Sequence, residues 1–240
     1  MHSEKLVVYT AAFGEGFDLP PVIPSHNVHY KCFTNLPNLT SEEGEIILVD
    51  PILPHDLPRS SREQKIRPHR WLSEFSKSLY IDTRVAILND PQELWNLLIG
   101  SDLETFFGAF LHNRRSTVLA EFAMVARMGL DSEKAISAHL NFFRSTDPAA
   151  LTLKPIWGGM LARRHMAPEC MLAMEAWHKQ VMKYSRRDQL SLPSVLQNLS
   201  PRSAHFIDGE IGSSDFHIWP KSIDQKPPGY LFDSFELDLQ

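Results

Sequence analysis

Short stretches in which apolar residues alternate with polar ones, or follow one another directly, predict the β-strands of this chain. Three of them fall within the first fifty residues and predict successive strands of one sheet. The stretch LYID predicts a buried strand that ends in an acidic residue, Asp82. The predicted strands cover residues 5–9, 28–34, 45–49, 79–82, 106–111 and 156–163.

Helical spacing of apolar residues, together with residues typical of helix ends, predicts the helices. Ser60 or Ser61 is expected to cap the first helix, Pro91 to lie in the first turn of the second, and Gly129 to end the third. Because strands alternate with helices, we expect an α/β protein with a mainly parallel central sheet flanked by helices. The predicted helices cover residues 60–71, 117–128, 132–143, 168–184 and 189–199, and one more begins at residues 90–91.

The same pattern predicts one domain, at residues 1–200, without repeats, low-complexity tracts or an interdomain linker. Residues 201–240 are rich in Pro, Ser, Gly and Asp, which favour loops and turns. We therefore expect a loop-rich C-terminal tail that packs on the same domain.

Composition and charge narrow the class of protein. Hydrophobic residues make up 43% of the chain and charged residues 22%, which is typical of a soluble globular protein. The formal net charge of -5 gives no general attraction to nucleic acid or anionic membranes. The two cysteines lie far apart, no secretory signal is evident, and no stretch approaches the ~20 apolar residues that span a bilayer. A cytoplasmic location is expected.

The strand end at Asp82 is the first candidate site. In open α/β sheets ligands gather beyond the carboxyl ends of strands, and a carboxylate there can hold a divalent cation that in turn holds a diphosphate. The residue two positions later is Arg84 instead of a second acid, so its charge can replace part of the charge of a metal. The alternative is that Asp82 caps the turn that follows it.

Two further segments carry residues suited to a phosphate ligand. After the first strand, the small residues of the Thr10–Phe13 loop would let a ligand approach the backbone, although a tight turn would use them equally well. This loop is neither a GxGxxG fingerprint nor a P-loop. Arg62 and Lys65 are three residues apart on a predicted helix and therefore share a face, which is either a phosphate site or a solvated basic surface.

Later segments carry candidates for acid–base chemistry and for the acceptor. His112, Arg115 and Glu121 lie around a loop-to-helix junction, where Glu121 could also simply pair with an arginine. The Gly pair at 158–159 allows close approach of a ligand, or else marks a β-bulge. Asp188 and Gln189 follow a long helix and are suited to sugar hydroxyls, with Asp188 as a general base, although such clusters are common on surfaces.

Two basic clusters, Arg163-Arg164-His165 and Arg186-Arg187, could together form a patch that meets phosphate, including nucleic acid. Solvated helix ends are the favoured interpretation, because the net charge is negative. Nucleic acid is therefore a minor candidate partner.

The order of these segments resembles the glycosyltransferase-like domain family of the plant turgor-regulation and mucilage-synthesis proteins. The resemblance spans about residues 7–199 and is carried by CFTN, SREQKIRPH, SLYIDTRVAILNDP, LHNRRSTVLAE, WGGMLARRH and RRDQLSLPSVL. It implies a GT-A-type nucleotide-diphospho-sugar transferase fold. The chain departs from the plant members in its incomplete acidic pair, at Arg84, and in lacking an evident membrane anchor, so we expect a stand-alone form whose acceptor differs.

The resemblance implies transfer of a hexosyl or pentosyl group from a nucleotide-sugar donor to a hydroxyl of a glycan, lipid or other acceptor, with Mn²⁺ or Mg²⁺ as a cofactor. Asp82 would handle the metal and diphosphate, and a late histidine, His217 or less favourably His205, would be a further ligand. The remaining alternatives are a nucleotide-sugar-binding protein without catalysis and a lipid or phosphodiester hydrolase, although the chain lacks GxSxG and HExxH motifs.

The expected catalytic residues are Asp188, Gln189 and Glu121. The expected donor-binding residues are Thr10, Ala11, Ala12, Phe13, Arg62, Lys65, Asp82, Arg84, His112 and Arg115. The expected acceptor-binding residues are Trp157, Gly158, Gly159 and Arg187.

Overall fold

A computed structural model of the chain describes residues 3–15, 19–20, 23–41 and 44–219. The strands are β1 (Ser3–Ala12), β2 (Val28–Thr34), β3 (Glu45–Leu48), β4 (Phe75–Ile81), β5 (Ala86–Ile87), β6 (Phe107–Leu111), β7 (Ile156–Arg163), β8 (Ala204–Ile207) and β9 (His217–Ile218). The helices are α1 (Leu57–Ile66), α2 (Pro68–Trp71), α3 (Pro91–Ile99), α4 (Val118–Arg127), α5 (Glu133–Thr146), α6 (Pro168–Lys183) and α7 (Leu192–Leu196), with 3-10 turns at Pro148–Thr152 and Asp188–Leu190.

Seven of these strands form one central sheet in the order β3-β2-β1-β4-β7-β6-β8. Every neighbouring pair is parallel except the two pairs made by β7, which is antiparallel to both β4 and β6. A separate two-stranded sheet joins β5 to β9. The predicted α/β class with a mainly parallel central sheet is thereby confirmed, and the architecture is consistent with a GT-A-like fold.

The sheet is central because its strands are apolar on both faces. In β1, Val7 and Tyr9 point into a core built with α1 and α6, whereas Leu6 and Val8 point into a second core built with α3. All four side chains are buried, which explains why this strand is an apolar run instead of a strict alternation. A third core joins α4 to α5.

The structure corrects several boundaries. The predicted helix 60–71 is two helices, because Pro68 lacks an amide donor and disfavours helical geometry at Arg67. Its N-cap is Asp56, whose carboxylate accepts a hydrogen bond from the Arg59 amide at 3.1 Å, and is not Ser60 or Ser61. β1 continues to Ala12, so Thr10 belongs to the strand instead of a loop.

The predicted loop-rich tail is described as far as residue 219 and contains two short strands, while residues 220–240 lie outside the described residues. β8 pairs in parallel with β6 and forms an edge of the central sheet, while β9 pairs with β5 near the carboxyl end of β4. Both strands are short, so they carry too few residues for an apolar pattern to stand out. In the part of the chain that the structure describes, no helix has both the length and the apolar character needed to cross a membrane.

The topology brings the candidate residues together at one end of the strands, the carboxyl edge of the sheet. β1, β4 and β6 run in the same direction, so their carboxyl ends lie together at that edge. β7 runs in the opposite direction and therefore begins there. The Asp82 amide, just after β4, donates to the carbonyl oxygen of Gly159 in β7 at 2.8 Å.

Candidate functional site

A buried ion cluster centred on Asp188 forms the core of the site. Asp188 and Lys65 are each only 2% exposed, and the Lys65 ammonium is paired with Oδ2 of Asp188. Nε of Arg62 lies 3.4 Å from the same oxygen. The three-residue spacing of Arg62 and Lys65 on α1 therefore directs both cations at one carboxylate.

The surrounding charges keep this cluster ionised. Burial alone would raise the pKa of Asp188, but Arg62, Lys65 and Arg187 hold it well below its usual range. Burial lowers the pKa of Lys65, and the nearby Arg62 lowers it further, while Asp188 opposes both effects. Asp188 is consequently a permanent anion that compensates neighbouring cations.

Aromatic residues of a neighbouring helix and of two strands contact this cluster. Nε1 of Trp177, on α6, donates to the carbonyl oxygen of Asp188 at 2.9 Å. The hydroxyl of Tyr9 donates to the carbonyl oxygen of Lys65 at 2.9 Å, and the Lys65 ammonium lies 5.0 Å from the centre of the Tyr80 ring. Sequence reasoning missed Trp177 and Tyr80, since as apolar residues of a helix and a strand they give no signal beyond burial.

The Gly pair in β7 lies against close packing on both faces of the strand. A Cβ at residue 158 would lie 3.0 Å from the Lys65 ammonium and 3.7 Å from Oδ2 of Asp188. A Cβ at residue 159 would lie 2.2 Å from the ring of Trp157. Gly158 therefore belongs to the site, whereas Trp157 is buried in the core against the opposite face.

Gln189 joins this cluster to a second buried carboxyl group, that of Glu121 on α4. The side-chain oxygen of Gln189 accepts from the Gly158 amide, and its nitrogen donates to Oε1 of Glu121, both at 3.4 Å. Glu121 is 4% exposed, and Nε of Arg115 lies 3.4 Å from its Oε2. Burial raises the pKa of Glu121, although Arg187 and Arg115 oppose that effect.

Asp82 lies half-buried at the end of β4 and stabilises its own turn. Its Oδ1 accepts from the Arg84 amide at 3.2 Å, and its carbonyl oxygen accepts from the Val85 amide at 2.9 Å. Its charge also raises the pKa of both Arg62 and Lys65, after the larger influences of burial and Asp188. Asp82 thus faces the cations while it caps the turn, and the Arg84 side chain is exposed.

A mostly apolar groove lies beside the carboxyl end of β1, between β2 and β4. Its lining includes Thr10, Tyr30, Ile81 and Asp82. Oγ1 of Thr10 is buried and has no hydrogen-bond partner among the residues described. The three other residues predicted to bind the nucleoside are all buried; they are Ala11, Ala12 and Phe13. Phe13 packs in the core with α1 and α6.

The candidate histidines are held by protein groups. Nδ1 of His112 accepts from the Arg114 amide at 3.1 Å, and burial, with Arg115 and Arg114 nearby, lowers the pKa of His112 to about 4. The fully buried His217 is bonded at Nδ1 to the Ser214 hydroxyl at 2.7 Å and at Nε2 to the Ile211 carbonyl at 3.2 Å. His205 lies on the edge strand β8, against the Leu98 carbonyl.

The described residues do not fit a metal centre made by the protein itself. No group of three or more His, Cys, Asp or Glu side chains that could hold a metal ion occurs among them. Asp82 has one oxygen engaged by its own turn, both ring nitrogens of His217 are engaged, and Arg62 and Lys65 bring positive charge to the same place. Mn²⁺ or Mg²⁺ therefore remains a prediction from the resemblance alone.

The two basic clusters predicted from the sequence lie in different surroundings. Arg163 and His165 are fully buried, so they do not contribute to a basic surface. The Arg186 amide donates to Asp131 at 2.8 Å, which fixes the segment before Asp188. Arg187 is half-buried, and its charge influences both Asp188 and Glu121.

The fold, with charged residues gathered at the carboxyl ends of its strands, is that of a glycosyltransferase-like α/β domain. A model of the family described as TOD1/MUCI70, glycosyltransferase-like domain, matches residues 44–208, and the chain belongs to this family. It is also 23% identical over 164 residues to the probable hexosyltransferase MUCI70 of Arabidopsis thaliana, a match that covers 63% of this chain and 28% of that protein. The chain thus matches little more than a quarter of the length of its curated relative. The family resemblance predicted from the sequence is confirmed.

Proposed function

We propose that this domain transfers a hexosyl or pentosyl group from a nucleotide-diphospho-sugar to an acceptor hydroxyl. The observation that carries the proposal is the set of cations and carboxylates at the carboxyl edge of the sheet, where Arg62 and Arg187 stand beside Asp82, Asp188 and Glu121. Membership of a glycosyltransferase-like family supports it.

In this proposal the donor lies across the end of β1. The apolar groove receives the nucleoside, with Oγ1 of Thr10 as a polar partner that has none of its own. The half-buried guanidinium groups of Arg62 and Arg187 hold the diphosphate and stabilise the negative charge that develops when it leaves. Lys65 is too deeply buried to reach the donor, so its role is to keep Arg62 and Asp188 in place.

The acceptor lies on the side of Gln189 and Gly158. Gln189 is half-buried there and its side chain reaches Glu121, so it can meet a hydroxyl-bearing molecule beside that carboxyl group. A glycan or a lipid both meet that description. Because the Arabidopsis relative is named a probable hexosyltransferase, hexose donors are the first to test.

The experiment is a donor screen of the intact chain. Hexose and pentose conjugates of UDP, GDP and ADP are incubated with the protein, with and without Mn²⁺, and release of the nucleoside diphosphate is measured. Calorimetry with UDP, GDP and ADP gives binding separately. We expect release from at least one donor and binding of the matching diphosphate. Binding without release would instead indicate a nucleotide-sugar-binding protein, and absence of both would refute the proposal.

A matched pair of variants tests the diphosphate site. Arg187→Ala removes a half-buried guanidinium at the site, and Arg127→Ala removes an exposed one at the end of α4. Because a hydrogen bond to a charged group contributes about 1.5–3 kcal/mol, Arg187→Ala should weaken nucleoside diphosphate binding by roughly 10- to 100-fold. Arg127→Ala should leave it unchanged. Equal affinities in the two variants would remove Arg187 from the donor site.

A further inference from the structure

The two buried carboxyl groups of the site, Asp188 and Glu121, have opposite surroundings. Oδ1 of Asp188 accepts from the Gln189 backbone amide at 3.1 Å, and Oδ2, which makes no regular hydrogen bond among the described residues, is ion-paired with Lys65 and lies 3.4 Å from Nε of Arg62. The Asp188 carboxylate is therefore held by two cations. Its charge is already used to compensate two cations.

Glu121 is equally buried but less fully engaged. Only the side-chain nitrogen of Gln189, at 3.4 Å, donates to its Oε1. Its Oε2 accepts no hydrogen bond among the residues described, and its ion-pair contact with Nε of Arg115 is 3.4 Å. Oδ2 of Asp188 is in close contact with an ammonium group, whereas the cation contact of Glu121 Oε2 is longer, so this buried oxygen is the one that can receive a further hydrogen-bond donor.

The electrostatic surroundings shift the pKa values of the two groups in opposite directions. Burial raises the pKa of Glu121, Asp188 raises it further, and Arg187 and Arg115 oppose both effects. The pKa of Asp188 is held well below its usual range by Arg62, Lys65 and Arg187 against the effect of burial. A base whose pKa lies closer to neutrality is the better proton acceptor, and two carboxyl groups whose pKa values are pushed apart commonly divide the acid–base work between them.

We infer that Glu121 takes the proton of the acceptor hydroxyl, and that Asp188 is a positioning residue which holds Lys65 and Arg62. The inference rests on the proposed glycosyl transfer. As the acceptor oxygen forms its bond to the anomeric carbon, its O–H bond breaks and the proton passes to Oε2 of Glu121. The bond from the anomeric carbon to the diphosphate oxygen breaks, and its electron pair leaves with the nucleoside diphosphate, held by Arg62 and Arg187.

The test compares Glu121→Gln with Glu133→Gln, the same chemical change at an exposed position of α5. With the donor identified in the screen, Glu121→Gln should lower kcat by roughly 10²- to 10⁴-fold, since it cannot accept a proton. Its Kd for the nucleoside diphosphate should stay within about twofold of the parent value, because the cations are intact. Glu133→Gln should match the parent protein in both measurements.

The pH profile separates a base from a merely structural group. In the parent protein kcat should rise with pH as Glu121 ionises, with a midpoint above the usual range of a glutamate. Glu121→Gln should lose that rise over the same interval. Its thermal midpoint should be equal to or above that of the parent protein, since the variant no longer buries a charge.

Three results would overturn the inference. They are an unchanged kcat in Glu121→Gln, an acid limb that persists in that variant, and a loss of diphosphate binding together with kcat, which would make Glu121 a donor-binding group. Failure of glycosyl transfer itself is distinguishable, because the parent protein would then release no diphosphate from any donor.

Discussion

At the scale of single residues, Asp188 shows how one carboxylate can hold a site together. Lys65 is nearly inaccessible and reaches no other carboxylate among the described ion pairs, so its charge depends on Asp188. The Arg62 side chain is 14% exposed, and its Nη1 also donates to the Ser61 hydroxyl at 3.0 Å. Removing the carboxylate would therefore leave one cation buried without compensation, which is a larger loss than that of a surface ion pair.

We therefore predict that Asp188→Asn lowers the free energy of unfolding by roughly 3–5 kcal/mol, the cost of breaking a buried ion pair from one side. Urea denaturation followed by tryptophan fluorescence measures it. The reference change is Asp82→Asn, at a half-buried position where the amide oxygen still accepts from Arg84, and it should cost less than about 1 kcal/mol.

The double variant Lys65→Met with Asp188→Asn provides the decisive comparison. Since both partners are gone and Met fills similar space, it should be more stable than Asp188→Asn alone. If Asp188→Asn unfolds at the same urea concentration as the parent protein, Lys65 does not depend on Asp188 and the positioning role is wrong.

At the scale of elements, the sequence predicted well what depends on local pattern. The strands buried on both faces, such as β1 and β7, are long apolar runs and were predicted within a few residues. The edge strand β8 was missed because its four residues are only partly buried and give little pattern. The N-cap at Asp56 was missed because the serines at 60 and 61, which lie inside the helix, are equally favoured capping residues.

Site geometry depends on contacts between distant segments, which spacing cannot supply. The shared face of Arg62 and Lys65 follows from helical geometry and could be predicted. The contact of Gln189 with Glu121 joins residues 68 positions apart in sequence, and nothing local announces it. The close approach of the Lys65 ammonium to Gly158 likewise joins distant segments of the chain.

Helix α5 gives a prediction on acid stability. His139 is fully buried, stacked on Phe143 and Tyr184, and burial lowers its pKa to about 4, although contacts with Gln180 and Asp131 oppose this. In the unfolded chain a histidine binds a proton below about pH 6.5, whereas the folded protein resists it until about pH 4. The free energy of unfolding should therefore fall as the pH falls through this interval, by up to about 1.4 kcal/mol per pH unit for this residue.

Urea midpoints at pH 7, 6 and 5 measure this loss. His139→Phe, which keeps a stacked ring but cannot bind a proton, should lose less stability between pH 7 and pH 5 than the parent protein does. His55→Phe, the same change at an exposed position, should leave the pH dependence unaltered. Parallel pH curves for the parent protein and His139→Phe would show that His139 contributes nothing to acid unfolding.

At the scale of the whole molecule, a chain of net charge -5 concentrates cations at one edge of its sheet. Four cations, those of Arg62, Lys65, Arg115 and Arg187, stand there with three carboxyl groups, those of Asp82, Asp188 and Glu121, so positive charge exceeds negative charge by one. An anionic ligand is therefore attracted to this edge even though the molecule as a whole repels anions. In the proposed transferase, these side chains supply the charge that a diphosphate needs.

We accordingly predict that nucleoside diphosphate binding persists when divalent cations are removed. In calorimetry with UDP, GDP or ADP, the Kd in EDTA should lie within about threefold of the Kd in Mn²⁺, and it should weaken as the salt concentration rises because the attraction is electrostatic. Arg187→Ala should weaken binding in EDTA at least as much as in Mn²⁺, since the guanidinium then acts without help. Binding that appears only with Mn²⁺ would contradict this. It would mean that Asp82 and the diphosphate oxygens together complete a metal site that the described residues do not make on their own.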